Sequence, residues 1–83
     1  MSNQTIFTAE DWYNAPSGRE GRVAVCRFDP PEPRDEAGAR LIGKRVTIDG
    51  ADFIVHGVEG FAVTRPQKSL GLLVTSAPAT DTE

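Results

Sequence analysis

Residues 44–56 read Lys-Arg-Val-Thr-Ile-Asp-Gly-Ala-Asp-Phe-Ile-Val-His and contain the clearest structural signal in the chain. Apolar and polar side chains alternate on both sides of Asp49-Gly50, as they do in strands that bury one face. Asp-Gly supplies the two positive-φ positions of a type I′ turn, so the stretch predicts a β-hairpin with a two-residue loop. That loop fixes three cross-strand pairs: Ile48 with Ala51, Val46 with Phe53, and Lys44 with Val55.

In this register the two faces of the hairpin differ in polarity, because side chains alternate between faces along each strand. One face is wholly apolar and is expected to face the core. It carries Val46, Ile48, Phe53 and Val55. The other face is mixed and carries Arg45, Thr47, Asp52, Ile54 and His56.

Three further segments, 22–28, 61–64 and 70–75, are predicted as strands. Gly57 and Gly60 predict a bulge or bend that turns the intervening valine toward the core. Short strands with tight glycine turns are typical of a small SH3-like open barrel or a rolled antiparallel sheet. The fold is therefore predicted to be mainly β.

The remaining segments are predicted to flank this β domain or to loop out of it. Residues 1–20 are expected to form an N-terminal arm with one short helical turn, because Thr8 can cap a helix that has acids in its first turn. The domain itself spans 21–75, with a proline-rich loop at 29–38 whose three prolines lack backbone donors. Residues 76–83 are predicted to be a flexible tail.

Composition and length exclude several classes of protein. The 83 residues allow one small domain, and a formal net charge of −3 disfavours general binding to nucleic-acid phosphates. The longest apolar run is four residues, too short to span a membrane, and the N-terminus does not resemble a signal peptide. The chain is thus expected to be soluble and not secreted through a signal peptide.

The strong core-forming residues are unevenly distributed. Fourteen of the nineteen Val, Ile, Leu and Phe residues lie between positions 41 and 74. The compact part is therefore predicted to be smaller than the chain, and to be completed by its own N-terminal arm or by a partner chain.

The residues that could carry catalysis are too few and too scattered to predict an enzyme. Cys26 is the only cysteine and His56 the only histidine, and nothing in the pattern places one beside the other. Nucleophilic catalysis requires that proximity, together with a third group that orients the base. Residues 38–45 nearly match a phosphate-binding loop, but Arg45 replaces its hydroxyl residue and a strand follows where a helix should begin. No catalytic residue, metal or cofactor is predicted.

Four side chains are candidates for contact with another protein. Ile54 and Leu73 each lie between two inward-facing neighbours on a predicted strand, so both are expected to point outward. Either the N-terminal segment or another subunit would then cover them. Trp12 and Tyr13 are the only residues of their kinds; docking on the domain itself is the favoured interpretation, and contact with a partner is the alternative.

Three cations are candidates for binding an anion. Arg65 and Lys68 lie in one predicted loop, and Arg45 lies on the mixed face of the hairpin. If they converge, they could hold a phosphate or a partner's carboxylate. A solvated, exposed loop is the favoured alternative.

The stretch from Gly43 to Glu59 follows the pattern G-x-x-V-x-I-D-G-x-x-F-x-V-x-G-V-E, and Gly71 to Val74 read G-L-L-V. In both features the chain resembles small β-barrel accessory or virion proteins encoded by bacteriophages and prophages. Residues 41–42 and the opening stretch 7–13 are similar as well, so the resembling segments make up about a third of the chain. It implies a role in a phage particle and a location in the virion, or in the host cytoplasm during synthesis, and it brings no catalytic residues.

Three functional hypotheses follow. The first is a non-enzymatic protein–protein interaction module, a structural or assembly component of a phage particle that forms homo- or hetero-oligomers. The second is a phage counter-defence protein that sequesters a nucleotide signal or inhibits a host enzyme, using Arg45, Arg65 and Lys68. The third, binding of single-stranded nucleic acid, is disfavoured because the aromatic pair lies in an acidic segment.

Overall fold

The computed structural model describes residues 5–15, 18, 20–60 and 65–77. They form six strands and one helix: β1 (Thr5–Phe7), β2 (Ala9–Asn14), β3 (Arg22–Glu32), α1 (Arg34–Leu41), β4 (Arg45–Ile48), β5 (Ala51–Glu59) and β6 (Gln67–Ser76). The strands make one open sheet in the order β1-β4-β5-β6-β3-β2, antiparallel except for the parallel pair β1 and β4. The predicted class, mainly β with an open sheet, is confirmed.

The predicted hairpin is confirmed, including its turn. Asp49 and Gly50 have φ angles of 52° and 86°, as the type I′ geometry requires. Ile48 pairs with Ala51 and Val46 with Phe53, as predicted. The pairing becomes irregular only at Val55, whose C=O accepts from Gly43 N–H and whose N–H donates to Lys44 C=O. Two residues face one there, which is the pattern of a β-bulge.

The N-terminal segment differs from the prediction, because residues 9–14 form strand β2 and not a helical turn. Local signals favoured a helix, but pairing along β3 and burial of the Trp12 ring against Phe53 (centroids 5.5 Å apart) outweigh them. The amide of Ala9 donates to the carboxylate of Asp49, 40 positions away. Within the predicted arm, Thr5–Phe7 and Ala9–Asn14 are thus part of the sheet.

The proline-rich segment is also more regular than predicted. β3 continues through Pro30 and Pro31 to Glu32. This part of the strand extends beyond the stretch that pairs with β2, so its free edge does not need the amide donors that proline lacks. Helix α1 follows directly, with Pro33 at its N-cap and acids in its first turn. It buries small side chains and Leu41, so the loop predicted at 29–38 is wrong.

One face of the sheet, the inner face, forms the core together with α1. Its buried residues are Phe7, Ala24, Cys26, Phe28, Ala37, Leu41, Val46, Ile48, Phe53, Val55, Leu70, Leu72 and Val74. Trp12 and Val58 pack against this cluster, and Val58 does so after a register shift between Val55 and Gly57, as predicted. The strand predicted at 61–64 and the tail beyond residue 77 lie outside the described residues.

β1 and β2 are separated by Thr8 alone, yet they lie at opposite ends of the strand order. The sheet must therefore curl until its two edges meet at this corner. Asp49 holds the corner: its N–H donates to Phe7 C=O at 3.1 Å, and its carboxylate accepts from Ala9 N–H at 3.0 Å. The curl leaves the second face of the sheet, the outer face, on the outside.

Candidate protein-interaction surface

The outer face has an apolar centre, which the register of four strands assembles. One cross-strand row runs Tyr13–Val23–Leu73–Gly57, and the next runs Asp11–Val25–Gly71–Glu59. The centre is thus aliphatic or glycine, and carboxylates stand at both ends of the second row. An apolar centre within a polar rim is the usual anatomy of a protein interface.

These rows enclose an open groove of about 370 Å³, hereafter the Tyr13 groove. Its lining consists of Tyr13, Val23, Val25, Glu59, Gly60, Gln67, Ser69 and Gly71. Gly71 lines the groove without a side chain, and Val23 packs closely beside it, since a Cβ at Gly71 would come within 2.9 Å of Val23 Cγ1. The groove therefore exists where a strand residue lacks a side chain.

The rim of the Tyr13 groove is largely acidic. A hydrogen bond and the negative charge of Asp11 raise the pKa of Tyr13 above its ordinary value. Ser69 donates to Glu10 at 2.8 Å, and Glu59 is exposed on the opposite side. Arg27 is the cross-strand partner of Ser69. The carboxylates of Glu10, Asp11 and Glu59 beside the groove favour a neutral or cationic occupant.

Of the four predicted contact residues, Tyr13 is the one that is strongly exposed, at 55%. Leu73 lies on the outer face, as predicted, but it is only 2% exposed, with its side chain against Gly57, so it is covered within this chain. Ile54 is half-buried. Trp12 docks on the domain, between Phe53 and the Arg22 guanidinium, which lies 4.4 Å from its ring centroid.

The three predicted anion-binding cations do not converge. Arg45 forms an ion pair with Asp52 at 3.2 Å on the outer face. Arg45 pairs across the sheet with Ile54, and Ile54 pairs with Thr75 of β6. Lys68 lies seven residues before Thr75 on the same strand, so the two are about 23 Å apart at ~3.3 Å per residue. Arg65 and Lys68 are both exposed, but strand alternation places Lys68 on the side of Leu70, the inner face. A shared nucleotide site therefore has no geometric support.

Cys26 and His56 are held apart on opposite faces. Cys26 is fully buried in the core, where burial first, and the charges of Asp49 and Glu10 second, raise the pKa of its thiol to about 12. His56 is exposed, and its Nε2 lies 2.8 Å from the hydroxyl of Thr75. The two groups cannot act as a nucleophile and its base.

The state of Cys26 gives a first prediction, about its reactivity. A pKa of about 12 in place of 9.0 leaves roughly a thousandfold less thiolate at pH 8, and thiolate is the reactive form. Alkylation by iodoacetamide should therefore occur only through unfolding. Mass spectrometry of a time course should show slow labelling that denaturant accelerates; fast labelling of the native protein would contradict the burial.

The same shift gives a second prediction, about stability against pH. The folded-state pKa lies above the unfolded one, so the unfolded chain loses its proton first as pH rises. The contribution of Cys26 to stability is complete below pH 9 and is lost as pH rises toward 12. Urea titrations should show this decline in wild type and a shallower one in Cys26→Ala; parallel declines would exclude Cys26 as its source.

Two exposed aliphatic residues, Ile6 and Ile42, are not among the candidates predicted from the sequence. Ile6 is 75% exposed and Ile42 is 51% exposed. Ile42 caps the C-terminal end of α1, a helix that was predicted as loop. Ile6 lies on β1, where alternation with buried Phe7 would have revealed it, had 5–7 been identified as a strand.

Within the described residues, no three His, Cys, Asp or Glu side chains come close enough to hold a metal ion. The helix described here is too short and polar to cross a membrane. Comparison of the chain with protein-family models, with curated proteins and with solved structures finds no match in any of the three.

Proposed function

We propose that this chain is a non-enzymatic protein–protein interaction module that binds its partner through the Tyr13 groove. The observation that carries the proposal is the groove itself, an apolar depression on the outer face beside a tyrosine that is 55% exposed. Tyrosine is enriched among residues that dominate binding energy, because it buries a large rigid surface and retains a polar end.

The chemistry of the rim selects the kind of partner side chain. Val23, Val25 and Gly71 offer aliphatic contact at the centre, while Asp11 and Glu59 stand at opposite ends of one row. A lysine or arginine fits this arrangement, since its stem can lie on the apolar floor while its cation reaches a carboxylate. The Tyr13 ring can also face that cation.

The non-enzymatic part of the proposal is supported by the two reactive side chains. Cys26 is buried in the core, where its pKa is raised, and His56 contacts Thr75 on the outer face. Neither lines the Tyr13 groove. The groove therefore offers contact surface and carboxylates rather than a nucleophile.

The finer part of the proposal is that the module is a small structural or assembly component of a bacteriophage particle. It rests on the resemblance of residues 43–59 and 71–74 to small phage proteins. If it is correct, the chain should be present at a defined copy number in purified particles of the phage or prophage that encodes it. Quantitative mass spectrometry of such particles would measure this, and its absence from them would refute the particle role.

The groove is tested by placing a photocrosslinking amino acid at position 13 and, as a matched control, at exposed position 42. A protein that is crosslinked from position 13 but not from position 42 is the candidate partner. It is then purified and titrated against variants that lack the photocrosslinker. Tyr13→Ala should weaken its affinity at least about tenfold, the range of a truncated central contact. Ile42→Ser should leave affinity unchanged. Equal affinities for wild type and Tyr13→Ala would refute the groove as the binding site.

A further inference from the structure

β1 leaves one side of the sheet open. It is the first strand in the order, so it pairs with β4 on one side, while on the other side no described strand pairs with it and an open depression separates it from the far half of β3. Phe7 C=O accepts from Asp49 N–H and therefore points toward the β4 side. Backbone groups of successive residues in a strand point to opposite sides, so the N–H and C=O of Ile6 point outward. The side chain of Ile6 is 75% exposed as well.

The other described edges carry the features that prevent strand pairing. β2 has a register shift between Ala9 and Asp11 and two adjacent carboxylates. The half of β3 that extends past β2 contains Pro30 and Pro31, which have no amide to donate. Bulges, charges and prolines are the usual protections of an edge. β1 has none of them over Thr5–Phe7.

The surroundings of β1 are electrically balanced, in contrast to the Tyr13 groove. A depression of about 390 Å³ is lined by Thr5, Ile6, Phe7, Arg27, Phe28, Asp29, Pro30, Glu32 and Arg40. It contains two cations and two anions, of which Arg40 donates from Nη2 to both carboxylate oxygens of Glu32, at 2.9 and 2.8 Å. A balanced surface does not repel its own copy, even though the chain carries −3.

We infer that this edge pairs with the same edge of a second copy of this chain. The two β1 strands run antiparallel about a two-fold axis at Ile6, so that each Ile6 N–H donates to the C=O of Ile6 in the other protomer. The two isoleucine side chains become direct cross-strand neighbours. Such a contact is isologous, because each protomer presents the same patch. Three residues make a short pairing, so the dimer is reversible and depends on concentration.

Analytical ultracentrifugation of the full chain tests this pairing across a wide range of concentration. Wild type should pass from monomer to dimer as concentration rises. Ile6→Lys should remain monomeric throughout, because it places two like charges opposite each other at the axis. Ile42→Lys, a matched change at another exposed isoleucine, should dimerise as wild type does. Circular dichroism should show all three folded, since both positions are exposed.

Amide hydrogen exchange gives a second, local measurement. The Ile6 amide should become more protected as concentration rises, while the amides of α1 should not change. A wild type that stays monomeric at every concentration, or an Ile6→Lys variant that dimerises as wild type does, would overturn the inference. The inference would also be overturned if Ile6→Lys, and not Tyr13→Ala, lost affinity for the protein crosslinked from position 13. The β1 edge would then bind that protein and not a second copy of this chain. Tyr13→Ala should dimerise normally, so this inference and the proposed function can fail independently.

Discussion

Replacing Gly21 with alanine is expected to reduce the free energy of unfolding by about 3 kcal/mol or more. Gly21 has a φ of +99°, a conformation that costs a residue with a side chain about 1–2 kcal/mol. The added Cβ would also collide with the carbonyl oxygen of Val74 and come within 3.0 Å of Thr75 Cγ2. Val74 is buried in the central strand β6 and paired with Arg22, so its backbone cannot move aside at little cost.

Gly43→Ala is the matched control for that substitution. Gly43 has a similar φ of +85°, but nothing lies within 4 Å of an added Cβ. It should lose only the conformational part, about 1–2 kcal/mol. Thermal or urea unfolding of both variants separates the two contributions, at about 4–8 °C of melting temperature per kcal/mol for a domain of this size. Equal losses would show that contact with Val74 does not matter.

Asp49→Ala is expected to cost about 2 kcal/mol, divided between two causes. Asp49 adopts a φ of 52°, which aspartate tolerates better than alanine does, a difference of about 1 kcal/mol. Its carboxylate also accepts from the Ala9 amide at 3.0 Å, and loss of a bond of this kind typically costs about 1 kcal/mol. Because that bond fixes the corner between β1 and β2, amide exchange at residues 5–9 should accelerate more than exchange in β6.

Two further variants assign those causes. Asp49→Asn retains both an acceptor oxygen and the tolerance of positive φ, so it should lose less than about 0.5 kcal/mol. Asp49→Gly retains only the φ, and should be intermediate at about 1 kcal/mol. The charge of Asp49 also helps to raise the pKa of Cys26, so that pKa should fall in Asp49→Asn. If Asn is as damaging as Ala, the charge and not the bond stabilises the corner.

The central hairpin could be predicted from the sequence because its determinants are local. Two turn residues with positive φ and an alternating pattern on each side are sufficient to set the register of β4 and β5. β1 and β2 could not be predicted in this way. The partner of β1 lies about 41 positions along the chain. The partner of β2 is the next strand, but the local signals of Thr8 and the acids after it favour a helix that sheet pairing overrides.

The candidate surface was also only partly predictable, because it depends on local alternation and on the pairing of distant strands. Alternation correctly assigned Leu73 to the outer face, but its contact with Gly57 could not be predicted, because Gly57 lies across from it only through a register shift in β5. The Tyr13 groove likewise requires β2, β3, β6 and β5 to be placed side by side. Tyr13 could be named from the sequence as a rare aromatic, whereas the groove lining at Gly71 could not.

The separation of β1 and β2 at opposite edges also has a consequence for synthesis of the protein. The ribosome releases β1 first, but its partner β4 ends at Ile48, 41 residues after Phe7. At about 5–20 residues per second, β1 waits roughly 2–8 s for that partner. During this interval the aromatic side chains of Phe7 and Trp12 have no assembled core to enter. The two edges of the sheet are united later still, because β3 and β2 join β5 only through β6, which ends at Ser76.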